Sequence, residues 1–309
     1  MPELYSAEVG QQILDNYQEA EIPEVHKELF HWAELFTQRS WDMSAQDLQR
    51  LHTYGLTDAN IVGWAQAACL QTWFTMGAEG GGVPLDSDAG MQPVFQKPRE
   101  FYTQAPEGLT AAEPKRPNFH APDSAEAVAW VATDGDSEEY QQAAAWAEAR
   151  YGFVPNLLQA LSLQPEFFRR HTLALELLER PQTESLSPRQ HAMVRALVST
   201  LTRCQYSADT TRRLVASACA EPGLYERLTE DYRQREWAPL DRVILDFATK
   251  VARNAYKVTE DDAQRFHEVG LDDEAYVDVL NTVAIQTSFD RLANSLGVRP
   301  DPRPLLPRV

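Results

Sequence analysis

Apolar positions recur along this chain at spacings of three and four, the period of a helix that buries one face. In "VHKELFHWAELF", Val25, Leu29, Trp32 and Phe36 form one such stripe. "SAQDLQRLHTYG" carries a Ser44 N-cap, Leu48 and Leu51 inside, and Gly55 just past the end, which predicts a short helix. "TDANIVGWAQAACLQTWFTMGA" predicts a long one capped by Thr57 or Asp58, with "EGGGVP" at 79–84 as its stop. The pattern resumes in "DSEEYQQAAAWAEARYG" and "PNLLQALSLQPEFFRRHTLALELLER". "SPRQHAMVRALVSTLTRC" has Ser187 as cap and Pro188 at the first helical position. "SADTTRRLVASACA" predicts a new helix with Ser207 as N-cap, and three further helical patterns lead to the tail. No run of alternating β-branched residues occurs, so the fold class is all-α, a helical bundle.

One stretch breaks the rhythm. From Ser87 to about Ala121 the chain holds Pro93, Pro98, Pro106, Pro114 and Pro117 and no sustained period. It reads as a surface linker. The expected organisation is a helical unit over 1–90, a linker over 91–122, a second domain over 123–301 and a tail over 302–309.

The two helical regions are related. Residues 29–86 align with 244–301 without a gap at an offset of 215, with about 16 of roughly 58 positions identical. "QRLHTYGLTD" returns as "QRFHEVGLDD", Gln71, Thr72 and Phe74 as Gln286, Thr287 and Phe289, and Gly82-Val83 as Gly297-Val298. Such a unit exposes an apolar face and must pack on another copy, within the chain or across a homo-oligomer interface.

Formal charge is -18, from 46 acidic and 28 basic residues, which disfavours nucleic acid and anionic lipid as partners. No apolar run reaches membrane-spanning length, and the N-terminal "MPELYSAEVGQQ" has no signal-peptide pattern. Three cysteines, Cys69, Cys204 and Cys219, fit a reducing cytoplasm rather than a disulfide framework. The ~18 Å of helix between Ser207 and Cys219 puts a 204–219 bridge out of reach. No metal-ligand spacing and no phosphate loop is present, so no metal and no cofactor are expected.

"CQYS" at 204–207 is a C-x-x-C motif with serine in second place. With "YGFVPNLLQALSLQPEF" (151–167), "LSPRQHAMVRALVSTLTRCQYS" (186–207), "LDFATKVARNAYKVTEDD" (245–262) and "FDRLANSLGV" (289–298), it makes the region from about Glu138 to Asp301 resemble the alkylhydroperoxidase D-type, or carboxymuconolactone decarboxylase-like, family in its peroxidase-related branch. Through the repeat, the N-terminal unit resembles a truncated second copy. The resemblance implies an all-α fold, homo-oligomers (a dimer is the expectation) and, for an enzyme, peroxidase-like antioxidant oxidoreductase chemistry.

The family motif E…C-x-x-C-x-x-x-H pairs a peroxide-reacting second cysteine with a resolving first one, and Glu and His relay protons. Carried over, the first cysteine is Cys204, the reactive one is Ser207, the histidine is Thr211 and the glutamate falls on Ala192, beside His191. A serine is not oxidised to a sulfenate and forms no disulfide.

Three functions follow as expectations. The first is a catalytically degenerate protein that keeps the fold for binding or assembly. The second is a one-cysteine oxidoreductase, with Cys204 reactive and Tyr206 and Ser207 as nearby hydroxyls; it requires an exposed, acidic thiol. The third is non-redox decarboxylation or isomerisation of a small carboxylic acid, in a closed pocket holding His191 or His171 and an arginine, with Arg169, Arg170 and Arg195 as candidates. A small-molecule ligand is the expected partner. Against these stand plain structural roles: core packing for Cys69, an inherited helix-boundary residue at Cys204, and helix-end contacts to terminal carbonyls for the matched His52 and His267.

Overall fold

The structure, a computed structural model, describes residues 5–83, 121–179, 185–219 and 221–306. The proline-rich linker lies outside the described residues except at its last two positions, as do residues 307–309 of the tail. The described residues form thirteen α-helices joined by turns and short 3-10 segments, with no strand among them.

The repeat is visible as geometry. Helices α2 (Glu24–Arg39), α3 (Ala45–Thr53) and α4 (Asp58–Gly80) correspond to α11 (Pro239–Asn254), α12 (Glu260–Glu268) and α13 (Asp273–Ser295), every boundary shifted by 215. The 3-10 turns Ser40–Asp42 and Ala255–Lys257 keep the same offset. The correspondence therefore starts five residues before the aligned identity does, because helix phase survives where side chains have diverged.

The start and stop signals repeat as well. Ser44 with Asp47 and Thr259 with Asp262 form capping boxes on α3 and α12. Gly55 and Gly270 end those helices at φ +84° and +85°, a conformation that favours glycine. Even the core trios correspond: Trp32, Leu51 and Ile61 in one copy, and Phe247, Phe266 and Tyr276 in the other, where the rings pack edge-on and tilted. Volume is redistributed within the trio while the positions stay fixed.

The copies pair within the chain. Helix α4 lies along α13, and the 3-10 turn of each copy sits against the long helix of the other. His52 and His267 differ from their expected helix-end role. Each imidazole reaches the first-turn aspartate of the following helix, His52 to Asp58 at 3.1 Å and His267 to Asp273 at 2.8 Å. Only His52 also meets a carbonyl, that of Leu56.

Between the copies come α5 (Glu138–Tyr151), α6 (Asn156–Ala160), α7 (Phe168–Glu179), α8 (Pro188–Leu201), α9 (Gln205–Ala218) and α10 (Leu224–Asp231). α1 (Ala7–Asn16) precedes both copies. One apolar cluster joins Trp32, Phe36 and Ile61 of the first copy to Leu158, Leu161 and Phe168, and to the second half of α13. A second surrounds α8, α10, α11, α12 and the first half of α13. Helix α13 runs through both clusters, and every residue from Thr282 to Asp290 is buried, so its polar residues Gln286 and Asp290 must find partners inside the protein.

Candidate functional site

The altered motif sits at the turn from α8 to α9. Helix α8 closes in a Schellman motif, with Cys204 N bonded to Ser199 O and Arg203 N to Thr200 O. The left-handed position that Gly55 and Gly270 fill at the ends of α3 and α12 is occupied here by Arg203, at φ +51°. Cys204 follows as the N-cap of α9, without a side-chain capping bond. This corrects the expected start of the helix. Ser207 is not the cap but the third helical residue, inside the first turn, because the Schellman turn releases the chain three residues earlier.

Ser207 faces α13. Its hydroxyl donates to Asp290 Oδ1 at 2.6 Å. Gln286 Nε2 donates to the same oxygen at 2.8 Å and lies 3.3 Å from Ser207 Oγ, while Thr202 Oγ1 lies 2.7 Å from Asp290 Oδ2. Asp290 has no solvent exposure. Burial raises its pKa, and the hydrogen bonds from Ser207, Thr202 and Gln286 oppose that rise. The chain of bonds continues outward, with Arg195 Nε donating to Gln286 Oε1 at 3.0 Å and Arg195 Nη1 to Leu178 O at 3.4 Å. Burial lowers the pKa of Arg195, and Glu179 and Asp290 counteract this from longer range. A cation and a carboxyl group are thus held apart inside the protein, bridged by one glutamine amide.

Cys204 is 2% exposed. Burial pushes its thiol pKa well up, and the neighbouring Asp290 carboxylate pushes it further, against hydrogen bonding from Ser207. The exposed, acidic thiol that the one-cysteine reading requires is therefore not what this site holds. The relay positions are filled by packing. Thr211 is fully buried and returns its hydroxyl to Ser207 O at 3.0 Å, and Ala192 belongs to the second core cluster. The Tyr206 hydroxyl turns the other way and donates to Asp301 Oδ2 at 2.8 Å. Asp301 also accepts from the Asn156 backbone at 2.6 Å, and burial raises its carboxyl to about 6.

A cavity of about 30 Å³ adjoins this network. His171, Arg195, Gln286, Ser207, Thr210 and Tyr206 are its polar lining residues, and Leu158 and Phe289 are among its apolar ones. Leu305 of the tail also lines it, held by its backbone N on Thr210 Oγ1 at 2.9 Å. The His171 ring is neutral, since burial lowers its pKa to about 4; its Nδ1 faces Phe167 O at 3.1 Å. His191 does not reach this cavity. It is buried in α8 with Nε2 unpartnered. Arg170 lines a different cavity, and Arg169 lines neither. Among the described residues no group of three or more His, Cys, Asp or Glu is placed to hold a metal ion. None of their helices is long and apolar enough to cross a membrane.

Thr202, Gln286, Asp290 and Asp301 were not singled out as site residues from the sequence. A signal existed for two of them. Gln286 and Asp290 lie one turn apart and share a helical stripe with the apolar Val279, Val283 and Ala293, and a carboxylate there needs a buried partner.

Fold and site together define a helical-hairpin protein in which a C-x-x-S turn meets a buried carboxyl group. Two solved structures are similar to it. One is described as an alkylhydroperoxidase AhpD core, an uncharacterized peroxidase-related protein from Ralstonia eutropha JMP134. It is 24% identical, with a TM-score of 0.48, covering 54% of this chain and 87% of that one. The other is an uncharacterized peroxidase-related protein from Silicibacter sp. TM1040, 24% identical, with a TM-score of 0.49, covering 55% and 88%. No protein-family model matches the sequence, and no curated protein does. The all-α class of this chain rests on its own helices, with no strand among the described residues.

Proposed function

We propose that this chain is an alkylhydroperoxidase D-like protein without dithiol peroxidase chemistry, which keeps the fold to bind a small molecule. The observation that carries the reading is the 2.6 Å bond from Ser207 Oγ to Asp290, at the position where the resemblance places the reactive thiol. That position now serves a buried hydrogen-bond network. The remaining thiol beside it is protonated, because burial and Asp290 both disfavour the thiolate.

The test is peroxide chemistry. Reduced protein is treated with a small excess of hydrogen peroxide or an organic hydroperoxide, and peptide mass spectrometry follows Cys204, with Cys204→Ala as control. The expected result is no oxidation of Cys204 faster than that of free cysteine, and no peroxide turnover when an external thiol is added. Rapid, selective oxidation with turnover would restore the one-cysteine reading.

A second reading is supported by the cavity itself. It brings His171 and Arg195 together in a mostly closed space, as non-redox chemistry on a small carboxylic acid requires. Arg195 supplies the charge, and the neutral His171 ring a proton acceptor. Loss of a carboxylic acid under incubation with the protein, abolished in Arg195→Met, would support this reading over binding alone.

A further inference from the structure

A second cavity lies on the seam between the two repeat copies, and the network just described makes no use of it. Its volume is about 40 Å³. Helix α4 contributes Gln66, Cys69 and Trp73, α7 contributes His171 and Ala174, and α13 contributes Phe289. The walls are mostly apolar and aromatic, with Gln66, His171 and Ser288 among their polar residues. Gln66 is 2% exposed, and both its Nε2 and Oε1 are buried without a hydrogen-bond partner.

An unpartnered carboxamide in such a place is costly, since each buried polar atom without a bond has given up its hydration for nothing in return. The other polar groups of the wall do not relieve it. Ser288 Oγ is committed to Ala284 O at 2.8 Å, the Cys69 thiol to Ser288 O at 3.5 Å, and His171 Nδ1 to Phe167 O. At the rim, exposed Arg170 stacks on Phe167, with its guanidinium carbon 5.2 Å from the ring centroid.

We propose that this seam cavity is a binding site for a small, flat, largely apolar molecule bearing a primary carboxamide. A side-chain amide presents one acceptor and a donor side by side, and its complement is another amide, which returns both bonds in a plane. The cavity volume matches a head group of that size rather than a whole aromatic ligand. The ring of the ligand then lies toward the mouth, among Trp73, Phe167 and Phe289, where offset aromatic contacts are available. A mostly apolar pocket with a few polar groups that fix orientation is the usual build of a small-molecule site. An ionised carboxylate fits less well, because it has no hydrogen to give Gln66 Oε1. The inference rests on the binding half of the proposed function and not on the fate of Cys204.

The probe is benzamide, titrated calorimetrically into the full chain, with benzoate and toluene as comparisons. Saturable binding is expected in the millimolar range or tighter, with benzoate and toluene each at least tenfold weaker. Gln66→Leu is expected to weaken benzamide at least tenfold while raising Tm, because it removes the unpartnered amide from apolar surroundings. Ala174→Leu fills the cavity from the opposite wall with Gln66 intact, and is expected to weaken all three probes. It also keeps the test decisive should Gln66→Leu misfold. No benzamide binding by the unaltered chain would overturn the inference, as would binding that neither substitution changes. Peroxide inertness together with absent amide binding would sink this site and leave the reading of Cys204 standing.

Discussion

His191 shows how a single buried side chain couples this protein to pH. Burial lowers its pKa from 6.5 to about 3, with the nearby Arg195 guanidinium adding to the effect. The unfolded chain takes up a proton below pH 6.5, and the folded chain does not until far lower. The stability tied to the neutral ring is therefore complete above pH 6.5 and lost as pH falls toward the folded value, at about 1.4 kcal/mol per unit. Asp301 works in the opposite sense. Its carboxyl is raised from 3.8 to about 6, so it costs stability as pH rises through that interval. His191→Leu isolates the first effect. The variant is expected to gain about 2 kcal/mol on the unaltered chain between pH 7 and pH 5, from urea denaturation at both values. A difference that does not change with pH would refute the assignment. Ser207→Cys tests the other side of the network. It restores the C-x-x-C spacing, yet the new thiol meets the buried Asp290 and finds Thr211 and Ala192 where the relay groups would stand. No gain in peroxide consumption over free cysteine is expected, whereas a hundredfold gain would show that the missing sulfur alone disabled the site. The sequence shows which residues stand at the four positions of the motif it resembles, since identity alone carries that information. It does not show the network formed there, because Thr202 and Ser207 meet Gln286 and Asp290 only through tertiary packing.

At the scale of elements, the same signal in two contexts separates backbone from packing. Gly82 and Gly297 are repeat equivalents, ending α4 and α13 at φ +62° and +60°. An added Cβ would meet nothing within 4 Å at Gly82, but at Gly297 it would fall 2.1 Å from the Trp130 ring. Gly82→Ala is thus expected to cost only the left-handed backbone term of about 1 kcal/mol. Gly297→Ala adds overlap with a rigid indole, for a total of about 3 kcal/mol or more. Thermal or urea unfolding of the two variants measures the difference, and equal costs would mean that Trp130 moves aside freely. Most helices were legible because caps and stops are local: Ser44, Ser187, Gly55 and Gly270 act as their chemistry predicts. The start of α9 was misplaced for an equally physical reason. Its boundary is set by the turn that closes α8, and in that turn Arg203 occupies the place where a glycine would have announced the stop.

At the scale of the whole molecule, the internal repeat decides what covers α13. Helix α4 lies along it, and Ile61 and Ala65 of α4 share one apolar cluster with Ile285, Phe289 and Leu292 of α13. Gly80 approaches so closely that a Cβ there would come within 2.3 Å of Leu280. The first copy thus covers an apolar face of α13, and a contiguous apolar face left bare drives association. The net negative charge, -18 for the full chain and -9 over residues 84–309, opposes that association at low salt and is screened at high salt. Removing residues 1–83 should therefore not leave a well-behaved half. The remaining chain is expected either to lose cooperative unfolding or to self-associate through α13, with a larger apparent mass at 0.5 M than at 0.05 M salt. Sedimentation velocity on the full and shortened chains, at matched concentration, reads both outcomes. A shortened chain that stays a stable monomer at every salt concentration would mean that α4 is an appendage, and that the pairing of the two copies contributes little to holding the fold together.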